Sequence, residues 1–139
     1  MYKKILVAHE KLNDAICALE KAESLARQLG AELFVLGIYA PGPEPVLGHH
    51  QTAAELENSD GYKRLHALAL AWAQSRGPNL RVETHAGYPI QLIEQFAAEY
   101  GADLLVLGDV GHTPGWGRML DGSAERVGRY TGCDVLIVR

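Results

Sequence analysis

The sequence predicts an α/β fold: a single domain over residues 1–139, built on a doubly wound five-stranded parallel sheet in the order 3-2-1-4-5. Three observations lead there. Short β-branched and aliphatic runs alternate with stretches of helical periodicity, the pattern of βαβ units. The runs are continuously apolar, Ile5-Leu6-Val7-Ala8 being the first, as strands covered on both faces must be. Right-handed crossovers and short connections then leave the flavodoxin-like order or its relative 3-2-1-4-5. In either, ligands bind at the carboxyl ends of the strands, where the winding direction reverses.

The elements follow in order. After the strand at residues 5–8, Asn13 is placed to cap a first helix. Its Ile16, Leu19, Ala22, Leu25, Ala26 and Leu29 recur at three- and four-residue steps, and Gly30 closes it. Residues 33–39 read as the second strand. Residues 40–52 hold three prolines and two glycines, which reads as a surface loop of functional length. A second helix starts at Ala53 or Ser59 and runs to Ser75, with Leu65, Leu68, Ala69 and Trp72 on one face. Trp72 and Trp116 read as packing residues. Residues 80–85 alternate as a third strand, and Gly87-Tyr88-Pro89 turns the chain into a third helix lined by Ile90, Ile93, Phe96, Ala97 and Tyr100. Gly101 ends that helix, and residues 103–108 are the fourth strand. A glycine-rich turn over 109–122 leads to a short helix from Ser123, and residues 134–138 form the fifth strand.

Composition narrows the function. A formal charge of −4 offers no basic excess for tracking phosphates along a nucleic acid or an anionic membrane. Cys17 and Cys133 are far apart and form no C-x-x-C pair, so they read as two reduced, mostly buried thiols. No signal-peptide pattern opens the chain and no apolar run reaches a membrane-spanning length, so a cytoplasmic protein is expected.

The constellation richest in chemistry is Gly108-Asp109-Val110-Gly111, ten further residues, then Gly122-Ser123 opening a helix. A strand, a glycine turn and a helix N-terminus make a phosphate cradle. Glycines let the backbone approach the anion, and free amides with the helix dipole favour its charge. Ser123 would be both helix cap and phosphate ligand. The bland alternative is that the glycines only serve tight turns. Neither G-x-x-x-x-G-K-[ST] nor G-x-S-x-G occurs, and Ser123 has no evident base, so no enzyme is expected beyond slow, incidental ATP hydrolysis.

The opening Met1-Tyr2-Lys3-Lys4-Ile5-Leu6-Val7-Ala8, the stretch from His85 to Gly108 and the segment from Gly108 to Arg139 resemble the universal stress protein family. The resemblance implies a stress-response protein with an adenine nucleotide alpha hydrolase-like fold. It implies ATP or a related adenine nucleotide such as AMP, with Mg²⁺ as a companion, held by Gly108, Gly111, His112, Gly122 and Ser123. The adenine end would lie near Ala8, Glu10 and Tyr39. It also implies a homodimer through the last strand, Val135, Leu136, Ile137 and Val138. The chain departs from the family pattern in three places. Ten residues rather than nine separate Gly111 from Gly122, His9-Glu10-Lys11 replaces Asp-Gly-Ser, and Asp121 stands beside the phosphate site. A non-nucleotide-binding member, acting through its dimer and partner contacts, therefore remains the rival reading.

A third reading rests on histidines. His9, His49, His50, His85 and His112 fall in or beside segments leaving the carboxyl ends of strands, and only His66 lies within a helix. His9 and His112 follow neighbouring strands, where imidazoles beside Glu10 and Asp109 would suit a borderline divalent metal. Against it, no tight ligand spacing such as H-x-x-x-H occurs.

Overall fold

The structure is a computed structural model that describes residues 1–10, 15–40, 52–76, 80–108, 128–129 and 131–138. Its strands are β1 (Lys4–His9), β2 (Glu32–Tyr39), β3 (Leu80–Ala86), β4 (Leu104–Gly108) and β5 (Asp134–Val138). Its helices are α1 (Ile16–Leu29), α2 (Ala53–Glu57), α3 (Asp60–Gln74) and α4 (Pro89–Tyr100). The strands pair in parallel in the order β3-β2-β1-β4-β5, as the sequence predicts.

Alternation along the strands divides the core into two halves. Ile5, Val7, Leu33, Val35, Leu104 and Val106 face α1 and α3, where Ala18, Leu19, Ala22, Ala69 and Trp72 cover them. Leu6, Ala8, Phe34, Leu36, Ile38, Leu105 and Leu107 face α4, where Ile93, Phe96 and Ala97 cover them. Both sides of β1 and β4 are thus sealed, which explains why their sequences carry no polar alternation. α1 and α4 both end on a glycine in the left-handed region, Gly30 at φ +64° and Gly101 at φ +73°. A side chain there would be strained.

The amino ends of β1 and β4 are pinned by one carboxylate. Asp103 accepts hydrogen bonds from the amides of Lys3 (2.8 Å) and Lys4 (3.1 Å), while its own amide donates to the Lys4 carbonyl (2.9 Å). β4 starts at Leu104 rather than Asp103, and Asp103 instead ties the amino ends of the two strands together.

Three expectations are corrected. The second helix is two helices, because Ser59 starts a new one. Its Oγ accepts from the Tyr62 amide (3.2 Å), while Thr52 caps α2 through Glu55 (3.1 Å). Leu68 is 43% exposed, at the rim of the stripe that buries Leu65, Ala69 and Trp72. Cys133 is buried, and burial, aided by Asp103 and Asp134, pushes its thiol up to about 11. Cys17 is exposed, one step beside the Ala18 and Ala22 stripe of α1. The expected cap Asn13 lies outside the described residues, and Ala15 precedes the helix without a side-chain hydrogen bond.

Candidate functional site

β1 is followed by α1 on one face of the sheet. β4 leads back to β5 through helical residues 128–129 and 131, and Gly128 packs near Val135 on the α4 face. Neighbouring strands whose connections leave to opposite faces define a crevice at their carboxyl ends. Here that place is the end of β1 beside the end of β4.

The row of residues at this level is unusual in composition. His9 pairs with Gly37 on β2, and Gly37 pairs with Thr84 on β3. On the other side Ala8 pairs with Leu107, so Gly108 stands one step further along β4, level with His9. A histidine is therefore flanked by two glycines. The need for Gly37 is direct: a Cβ there would lie 3.1 Å from His9 Cε1, 3.2 Å from His9 Nε2 and 3.1 Å from Thr84 Oγ1. The imidazole leans over β2 into the space that the missing side chain leaves.

His9 has 0% exposure, and neither ring nitrogen has a hydrogen-bond partner among the described residues. Burial alone lowers its pKa to about 4, because no partner offsets the cost of desolvating a charged ring. Thr84 continues the polar row. Its Oγ1 lies 2.9 Å from His66 Nδ1 on α3, and its carbonyl accepts from Tyr62 Oη at 2.7 Å. Tyr39, two residues beyond Gly37, packs edge-on to Tyr62 with centroids 6.3 Å apart. Its hydroxyl would be 2.7 Å from a Cβ at Gly61, so Gly61 is what lets the phenol lie across the first turn of α3.

The predicted site residues divide accordingly. Ala8 is buried on the α4 face, Glu10 is half-buried just past β1, Tyr39 is half-buried at the end of β2, and Gly108 ends β4. Gly111, His112, Gly122 and Ser123 lie outside the described residues, as do Asp109, Trp116 and Asp121. His9, expected to follow the strand, is its last residue and is sealed within it. The metal pairing of His9 with His112 falls partly outside the described residues. Among those described, no group of three His, Cys, Asp or Glu side chains is placed to hold a metal ion.

His85 does not join this row. It faces α4, with its ring 4.4 Å from Phe96 and its Nε2 2.8 Å from Glu83 Oε1. Burial works to raise the Glu83 pKa, but hydrogen bonds from Arg81 and His85 prevail and hold it below the usual carboxylate range. Sequence reasoning missed Gly37, Thr84 and His66. Only Gly37 carries a signal, since an isolated glycine within an apolar strand marks a close approach.

A model of the universal stress protein family matches residues 1–139. A universal stress protein of Methanocaldococcus jannaschii is 31% identical, the match covering 100% of this chain and 83% of that protein. A crystal structure of a universal stress protein in complex with cAMP superposes with a TM-score of 0.69 at 27% identity, covering 99% of this chain and 97% of the other. A universal stress protein from Lactobacillus plantarum shares the fold, with a TM-score of 0.70 at 24% identity and coverage of 99% and 98%.

Proposed function

Because the chain belongs to the universal stress protein family, we propose that it is a stress-response binding protein that takes an adenine nucleotide at the β1/β4 crevice. The observation that carries the reading is the coincidence of that crevice with the start of the Gly108-x2-Gly111-x10-Gly122-Ser123 series. Backbone amides at Gly111 and Ser123 would hold phosphate, with Mg²⁺ or Arg118 offsetting Asp121. The adenine end would lie toward Ala8, Glu10 and Tyr39. The relative in complex with cAMP supports a nucleotide of this class. The role is binding, with ATP hydrolysis at most slow and incidental, since the sequence carries neither a P-loop nor a G-x-S-x-G motif and offers Ser123 no evident base.

The test is thermal melting with Mg·ATP, AMP and cyclic AMP. At about 100 times Kd, linkage gives roughly 2.7 kcal/mol and a rise of several degrees. Gly122→Val, which puts a side chain where the anion would approach, is expected to abolish that rise. No rise with any nucleotide at millimolar concentration removes the reading. It would leave the partner-binding alternative, which Asp121 and the tenth spacer residue favour.

The same proposal includes a cytoplasmic homodimer. β5 is an edge strand whose Val135, Leu136, Ile137 and Val138 remain half-buried, and such edges are commonly covered by pairing. The unpaired thiols of Cys17 and Cys133 suit a reducing compartment. Sedimentation equilibrium should give twice the chain mass; a monomer at micromolar concentration overturns the dimer.

A further inference from the structure

We propose that His9 is a specificity-determining residue that donates or accepts a hydrogen bond to the heterocyclic base of the bound nucleotide. The inference deepens the nucleotide reading and rests on it. Four observations carry it. His9 is the last residue of β1, the central strand, at the carboxyl end beside the end of β4. Both its ring nitrogens lack a partner among the described residues, although the side chain is fully buried. Glycines stand level with it on both neighbouring strands, so no side chain on β2 or β4 competes for the space beside the ring. Thr84, the nearest polar side chain along the row, already has His66 at 2.9 Å.

A buried polar group without a partner destabilises the fold, so an imidazole kept in such a place implies a partner that arrives with the ligand. Neutral imidazole has one N–H donor and one bare acceptor nitrogen, and a purine edge offers both complements. Sugar and phosphate would be read elsewhere, by the backbone amides of the glycine series. The chemistry therefore separates the two ends of the nucleotide: His9 answers to the base and not to the anion.

The experiment compares AMP with ribose 5-phosphate, which keeps the sugar and phosphate but lacks the base. By calorimetry, His9→Leu is expected to weaken AMP at least tenfold while leaving any ribose 5-phosphate affinity unchanged. Equal AMP affinity in wild type and variant overturns the role of His9 and leaves nucleotide binding standing. A second measurement does not depend on the variant folding. In the ¹⁵N-labelled wild-type protein, the His9 ring nitrogens should shift on saturation with AMP and stay put with ribose 5-phosphate. Ring signals unmoved by saturating AMP overturn the inference. If the wild-type protein binds no AMP at all, the fault lies in the nucleotide reading, and the inference falls with it.

Discussion

Replacing Phe34 by alanine is expected to cost about 3–5 kcal/mol, the range for emptying a buried aromatic site. Phe34 has 0% exposure at the centre of the α4-side core. Its ring meets Phe96 edge-on at 5.8 Å and Tyr100 at 5.3 Å, and the Arg81 guanidinium lies 4.2 Å above it. The truncation therefore removes apolar burial, two aromatic contacts and a cation–π contact together. The neighbours are anchored on β3 and α4 and can close the gap only in part. Urea unfolding should show a lower midpoint with little change in slope, and melting should fall by roughly 10 °C or more. A loss below about 1 kcal/mol would mean that the cluster repacks freely.

Acid should destabilise the protein through His9 before most carboxylates titrate. Its folded pKa is about 4 against an unfolded value near 6.5, so the unfolded chain takes up the proton first. Stability from this group is intact above about pH 6.5, falls as pH drops through that window, and is fully lost below about pH 4. The difference amounts to about 3 kcal/mol. Urea unfolding at pH 7 and pH 4.5 should show the loss in the wild-type protein and a much smaller loss in His9→Leu. Identical losses in both proteins would show that His9 does not stay buried and neutral. Glu83 adds a separate, later contribution. Its pKa is lowered in the folded state, so its stabilisation is present above the unfolded carboxylate pKa and disappears as pH falls through the folded one.

The strands were legible because burial on both faces leaves no room for polar alternation. The runs at residues 5–8, 33–39 and 103–108 mark β1, β2 and β4 to within a residue, and residues 134–138 mark β5, an edge strand whose apolar residues stay half-buried. The glycine stops of α1 and α4 were legible for the same directness of cause, a left-handed φ that other residues resist. The break at Ser59 was legible only as an alternative starting point, since apolar periodicity cannot tell one long helix from two capped ones. His9 was misread by one position. A polar residue after an apolar run looks like the end of a strand, and nothing local reveals that Gly37, far along the chain, leaves space for its ring. Thr84 and His66 join the row only through pairing across β2, β3 and α3, which no sequence window contains. The glycine series is legible as spacing alone, since Gly111, Gly122 and Ser123 lie outside the described residues.

The central position of β1 also matters for how the chain is made. β1 must wait for β4, since the Lys3 amide meets the Asp103 carboxylate only across a separation of 100 residues. During synthesis, β1, α1, β2, α3 and β3 emerge first, and together they cover only one side of the sheet. Leu6, Phe34, Leu36 and Ile38 face the side whose cover, α4, emerges last of these. For a time on the order of seconds the nascent chain thus carries a bare apolar surface at the ribosome. A protein of this topology is most exposed to misassembly while half-translated, and chaperone demand should fall on that interval rather than on the finished fold.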